Sequence, residues 1–176
     1  MRGPIEETAE TDEASLDFEI FFHLHYTRVA SVIARVVRDP SRAEDLAIEV
    51  FWKLWRSRQA QGLLAGGWVY RTAVRQGLDE LRRRARRSRL ESLFSFGRNT
   101  PTPEQLHAVT QEQEQVRATL AALDPAQAEL LLLRTSGFSY AELATALDLN
   151  PASIGTLIVR AQKEFRKEYV ERYGER

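Results

Sequence analysis

From Phe18 onward, apolar and aromatic side chains return every three or four residues: Phe18, Phe21, Phe22, His25, Val29, Val32, Ile33 and Val36. Steps of about 100° gather such positions on one face of a helix. Asp39-Pro40 ends the run, because the residue before a proline is pushed out of the α region. Ser41, with Glu44 three residues on, reads as a capping box opening a second helix that runs to about Arg58. Gln59–Gly66 is a loop by its glycines. The stretch GWVYRTAVRQGLDELRRRARRSR then restores helical spacing through Tyr70, Ala73, Val74, Gly77, Leu78 and Leu81. No segment alternates strictly over strand length, so the expected fold is all-α.

Residues 90–103 (LESLFSFGRNTPTP) break the pattern and have the composition of a linker. A polar helical stretch from Glu104 leads to Asp124-Pro125, an N-cap with a first-turn proline. Gly137 closes that helix, and Ser139 with Glu142 forms another capping box, opening a short helix to about Leu147. After a turn at Asp148–Asn150, Asn150-Pro151 opens a last helix reaching about Tyr173. The pattern therefore predicts a disordered tail over 1–15, a helical domain over 16–89, a linker over 90–103, and a second helical domain over 104–176. Each domain is expected to have its own core.

The helical faces left over carry the candidate chemistry. In AEDLAIEVFWKLWR, Ala43, Leu46, Ala47, Val50, Phe51 and Leu54 make a core face. Asp45, Glu49 and Arg56 mix with Ile48, Trp52 and Trp55 on the other side. That mixture suits either a protein-binding surface or cover by another helix of the same domain. In the third helix Trp68, Arg71, Arg75, Arg82 and Arg86 share one stripe. Such a stripe is either a solvated basic face or a track for a phosphate backbone headed by an indole on which a base can stack. The short capped helix, turn and long helix at the C-terminal end fit a helix-turn-helix. Leu143, Ala144, Leu147, Ile154, Ile158, Ala161 and Phe165 form its expected core, while Ser153, Thr156, Arg160, Lys163 and Lys167 face outward. In a major groove, small polar residues reach base edges and basic ones reach phosphates.

Composition narrows the function classes. Of the 176 residues, 43% are hydrophobic and 28% charged, which is globular. The formal net charge of zero conceals an asymmetry: the first seventeen residues are acidic, whereas Arg82–Arg89 contains no acid. One anionic partner met at one place fits that division. With no cysteine, thiolate catalysis and disulfides are excluded. No apolar run approaches ~18 residues and the N-terminus is acidic, so neither membrane insertion nor a secretory signal is expected, and the chain reads as cytoplasmic. His23 and His25 point in different directions along their helix and cannot jointly grip a metal. No phosphate loop or nucleophile elbow is present, so no enzyme is expected.

Three segments in order, SRAEDLAIEVFWKLWR, WVYRTAVRQGLDELRRRARR and LDPAQAELLLLRTSGFSYAELATALDLNPASIGTLIVRAQ, resemble the extracytoplasmic-function group of bacterial RNA polymerase sigma factors, of the sigma-70 family. The likeness runs from about Phe18 to Tyr169. It implies a sigma-2-like domain that grips core RNA polymerase and melts the minus-ten promoter element. It also implies a sigma-4-like helix-turn-helix that reads the minus-thirty-five element, and no cofactor. By position, Asp45, Ile48, Glu49, Trp52 and Arg56 fall in the polymerase-binding helix. Trp68, Arg71, Arg75, Asp79, Arg82 and Arg83 fall in the minus-ten segment, and Ser153, Thr156, Arg160 and Lys163 on the promoter-reading helix. Such factors often have an inhibitory anti-sigma partner. The chain departs from the group's pattern at Ile48, where glutamine is usual, at Arg75, where asparagine is common, and at Gly155, Leu157 and Val159, where basic or polar residues are usual. These departures leave two rivals: a helix-turn-helix DNA-binding regulator without polymerase binding, and a protein-interaction module that binds no DNA.

Overall fold

The computed structural model describes residues 16–94 and 104–174. The acidic tail and residues 95–103 of the expected linker lie outside the described residues. Seven α-helices are described: α1 (Phe18–Val37), α2 (Pro40–Arg56), α3 (Ala65–Phe94), α4 (Glu104–Ala122), α5 (Pro125–Thr135), α6 (Tyr140–Leu147) and α7 (Ile154–Tyr173). Among the described residues there is no strand.

Helices α1, α2 and α3 pack as a three-helix unit. Asp17 starts α1 by accepting a hydrogen bond from the Ile20 N–H at 3.1 Å. The buried residues of α1 are Phe21, Val29, Val32, Ile33, Val36 and Val37, close to the set read from its spacing. The cap of α2 differs from the expected one. Asp39, two residues upstream of Ser41, accepts from the Arg42 N–H at 3.1 Å, with Pro40 in the first turn. Pro40 explains the shift, since its fixed φ suits a first helical position and it lacks the N–H that would go unbonded there. Helix α2 buries Ala43, Leu46, Ala47, Val50, Phe51 and Leu54, all six core-face residues expected. It ends at Arg56, where the Gln61 side chain donates to the Leu54 and Trp55 carbonyls at 2.9 and 2.7 Å.

Helix α3 runs past the expected start of the linker, so residues 90–94 are helical. No glycine or proline interrupts the chain between Gly77 and Gly97, and nothing else there stops a helix. One carboxylate ties this unit together. Glu80 is buried and accepts from Arg42 on α2 and from Arg83 and Arg84 on its own helix. Arg84 also donates to the Val37 carbonyl and to Asp39, joining α3 to the end of α1 and the cap of α2.

In the C-terminal half, Asp124 accepts from the Ala126 N–H with Pro125 opening α5. Gly137 follows α5 with φ +88°, a left-handed conformation for which glycine carries no Cβ penalty. Ser139 and Glu142 form the reciprocal capping box of α6. Asn150 accepts from the Ala152 N–H, and one 3-10 turn (Pro151–Ser153) leads into α7. Leu143, Ala144, Ile154, Ile158 and Ala161 are buried as expected, with Leu147 and Phe165 partly so.

Helix α3 packs against α4, α5 and α6, and the buried side chains form one continuous cluster through both halves. Tyr70 and Phe138 meet at that junction edge to face, ring centres 4.7 Å apart.

Candidate functional site

Three surfaces carry the candidate residues. On α2, the face opposite the core holds Ile48, Trp52 and Trp55, each about half exposed at 50%, 55% and 54%. The two indoles lie 5.1 Å apart, centre to centre. With Phe18 and Phe22 of α1 and the edge of Phe51, they line a shallow apolar groove of about 280 Å³. No helix of the described chain covers it. Around it stand Asp45, Glu49 and Arg56, all exposed, with Glu49 3.5 Å and Asp45 3.9 Å from the Arg42 guanidinium. Phe18 and Phe22 belong to this surface although their spacing reads as core. The signal available was that α1 has more aromatic residues near its start than one buried face can hold.

The arginine stripe of α3 is not an open face. Trp68 is partly buried against the core. Arg75 places Nε 2.5 Å from Oε1 of Glu129 on α5, and that glutamate side chain is only 4% exposed. Arg82 donates from Nε to the Ala121 carbonyl at 3.1 Å and from Nη1 to Asp79 at 3.3 Å. Arg83 pairs with Glu80. Arg71 is half-buried and Arg86 exposed, and neither has an ion-pair partner among the described residues. Sequence reasoning took the stripe of Trp68, Arg71, Arg75 and Arg82 to face away from protein, whereas Arg75 and Arg82 bond to α5 and α4. Its neighbour is the C-terminal half of the chain, which no helical wheel of α3 alone reveals.

Beside the stripe lies a polar cluster that the sequence did not signal. Arg28 of α1 donates to Oε1 of Glu142 on α6 at 2.6 Å, and its guanidinium stacks 3.8 Å from the centre of the Phe138 ring. His25 shares a hydrogen bond with the Tyr70 hydroxyl at 2.9 Å. The Arg28 bond, with those of the Ser139 cap, pulls the Glu142 carboxyl down to about 2. Burial, then the nearby Arg28 charge, lowers the His25 imidazole below its ordinary value. Burial raises the Tyr70 phenol. These groups were invisible in sequence because they lie far apart along the chain.

The third surface is α7. Thr156, Arg160 and Lys163 are exposed, and Ser153 in the preceding turn is half-buried, its hydroxyl donating to the Asn150 carbonyl at 2.8 Å. Exposed Val159 sits among them. The arrangement offers short polar side chains at the helix start and cations further along. Among the described residues, no group of three or more His, Asp or Glu side chains could hold a metal ion, and no helix is long and apolar enough to cross a membrane.

Two family models match the chain. A family model described as Sigma-70 region 2 matches residues 21–87, and one described as Sigma-70, region 4 matches residues 113–164. The α2 groove, apart from Phe18, and the α3 stripe fall in the first match, and the candidate residues at α7 in the second. The chain is 28% identical over 173 residues to the ECF RNA polymerase sigma factor SigE of Mycolicibacterium smegmatis, covering 94% of this chain and 66% of that protein. It is 27% identical over 159 residues to the ECF RNA polymerase sigma factor SigK of Mycolicibacterium vanbaalenii, covering 85% of this chain and 80% of that one. Among solved structures, the sigma factor RpoE in complex with the anti-sigma factor NepR from Bartonella quintana aligns with a TM-score of 0.47 and 20% identity, over 86% of this chain and 96% of that one.

Proposed function

This chain belongs to the sigma-70 family, in its group of extracytoplasmic-function sigma factors, and from that premise we propose how its surfaces divide the work of directing RNA polymerase to promoters. The groove on α2 docks on core polymerase. Ile48 and Trp52, with Trp55 beside them, supply the apolar anchors that dominate such interfaces. Asp45, Glu49 and Arg56 form the polar rim that sets register and partner choice. Ile48, where this group usually has glutamine, enlarges the apolar centre.

The α3 stripe engages the minus-ten element once the strands separate. Arg71, Arg75, Arg82 and Arg83 meet phosphates, and Trp68 offers a face on which an unstacked base can rest. Asp79, an acceptor among these donors, suits an exocyclic amine on a base edge. Arg75 has a planar fork that can grip a phosphate or pair with a base edge. At α7, Ser153 of the preceding turn and Thr156 face base edges while Arg160 and Lys163 face the backbone of the minus-thirty-five element. The chain supplies binding and strand separation, and the polymerase supplies catalysis. It works where the polymerase works, in the cytoplasm.

The observation that carries this reading is the exposure of Ile48, Trp52 and Trp55 together on α2, opposite a core face that is already complete. A face of that kind asks for a partner. The test is affinity for core polymerase. Trp52→Ala should cost ~2 kcal/mol, a loss of roughly thirtyfold, with the helical circular dichroism unchanged. Unaltered affinity in the folded variant would remove α2 from the interface.

A further inference from the structure

Helix α7 carries Gly155, Leu157 and Val159 at positions where this group usually has basic or polar residues. Packing accounts for two of them. Leu157 is partly buried against the core. At Gly155 a Cβ would already touch Cε2 of Tyr140 at 3.7 Å, so a long side chain there would have to turn past the ring. Val159 has no such task. It is 64% exposed and lies outside the core. Helix propensity does not ask for it either, because a β-branched side chain loses χ1 freedom in a helix.

Exposed apolar residues scattered singly are ordinary on protein surfaces, so exposure alone assigns nothing. The neighbours of Val159 give it meaning. Thr156, Val159, Arg160 and Lys163 follow the spacing that brings side chains to one face of a helix, and all four are exposed. Ile154, Ile158 and Ala161 are buried on the opposite face. Neither Arg160 nor Lys163 has an ion-pair partner among the described residues. Gly155 and Arg160 fall on opposite sides of Val159 around the helix. Tyr140, which lies against Gly155, is 48% exposed and has the Arg134 guanidinium 5.5 Å from its ring centre. Val159 therefore has a cation on either flank. In a major groove those cations meet the two phosphate backbones, which aims Val159 at the base edges between them.

Every base pair presents hydrogen-bonding groups to the major groove, and thymine adds a C5-methyl group. Valine neither donates nor accepts a hydrogen bond. Against a G·C pair it would displace water from polar groups and offer no partner in return. Against a thymine methyl it buries apolar surface on both sides of the contact.

We propose that Val159 reads a thymine methyl in the minus-thirty-five element, so that one base pair there is chosen by apolar contact rather than by a hydrogen bond. The proposal rests on the reading of α7 given above. Thr156, one turn earlier, brings a methyl and a hydroxyl to a neighbouring base pair, while Arg160 and Lys163 hold the register on phosphates. With valine in place of a basic residue, the helix gives up general attraction to DNA and gains selection against guanine and cytosine at one position.

The test uses holoenzyme reconstituted from core polymerase and the full-length chain, with duplex promoters randomised across the minus-thirty-five element. Sequencing the bound fraction gives the preferred element for the wild type, for Val159→Ala and for Val159→Arg. The preferred promoter is then rebuilt with deoxyuridine in place of one thymine at a time, which removes a methyl group and keeps every hydrogen bond. At one thymine this should weaken wild-type binding about fourfold, the effect of one buried methyl group. In Val159→Ala the same replacement should cost almost nothing, and that coupling distinguishes direct contact from a change in DNA shape. Val159→Arg should move the preference at the same base pair toward guanine, whose O6 and N7 an arginine can grip together. A preferred element indifferent to every thymine methyl would overturn the proposal and leave the reading of α7 standing. So would a methyl effect of equal size in wild type and Val159→Ala. A wild-type holoenzyme that selects no minus-thirty-five sequence from the pool would overturn both.

Discussion

Replacing Glu80 by glutamine keeps the shape of the side chain and removes the charge on which three arginines converge. Its carboxylate, 8% exposed, accepts from Arg42 Nε at 3.3 Å and Nη2 at 3.2 Å, from Arg84 Nε at 3.1 Å, and from Arg83. Breaking a buried ion pair by removing one partner costs about 3–5 kcal/mol. The arginines here are 27%, 41% and 52% exposed and regain some hydration. A discounted cost is therefore about 2–3 kcal/mol. For a chain of this length each kcal/mol lowers the melting temperature by about 2–4 °C. Glu80→Gln should then melt about 5–10 °C below the wild type in a thermal circular-dichroism scan. Glu49→Gln is the control, because that exposed carboxylate makes one contact to Arg42, at 3.5 Å by Oε1. It should move the melting point by no more than about 2 °C. A Glu80→Gln protein that melts within about 2 °C of wild type would refute the view that this carboxylate organises the α1–α2–α3 unit.

The remaining predictions concern pH and use the melting temperature, followed by circular dichroism, as the readout. His25 has a lowered value in the folded chain, so the unfolded form binds more protons. Its contribution is complete above about 6.5 and is lost as pH falls from there toward the folded value. The melting temperature should fall as pH drops through about 6.5, and His25→Gln should flatten that slope. Glu142 acts lower: its stabilising pair with Arg28 is complete above the ordinary carboxylate value of 4.5 and is lost as pH falls through about 2. A Glu142→Gln chain should accordingly lose its dependence on acid below about pH 4.5. A melting temperature that rises on acidification would contradict both assignments.

The fold was legible where local chemistry decides it. Asp124-Pro125, the Ser139–Glu142 box and Gly137 act within a few residues of themselves, and the structure uses each as the spacing predicts. The α2 cap was misplaced because two neighbouring capping patterns compete there, and Pro40 favours Asp39. The core face of α2 was readable in full because a helix buried on one side repeats its apolar residues at one period. What could not be read was which surface covers which. Glu129 sits in an apolar run, QAELLLL, and only the fold shows that it is buried against Arg75. Likewise Ala146 is an unremarked alanine in sequence, and its carbonyl is the atom that requires glycine at position 67. The groove on α2 lay between these cases: Trp52 and Trp55 were visible as misplaced apolar residues, but Phe18 and Phe22 join them only through the packing of α1.

Promoter opening by reconstituted holoenzyme tests the central claim most directly. Core polymerase is mixed with the chain and with a pool of promoter DNA, and permanganate marks unpaired thymines around the minus-ten element. The wild-type chain should bind polymerase and open promoters. The folded variant Trp68→Ala, Arg71→Ala, Arg75→Ala, Arg82→Ala should still bind polymerase through α2 yet leave the DNA closed. Its residual DNA binding should fall less steeply with salt, by roughly 0.7 in logarithmic slope for each single-strand phosphate that an arginine no longer neutralises. A wild-type holoenzyme that opens no promoter in the pool, or a fourfold variant that opens them as the wild type does, would contradict the account.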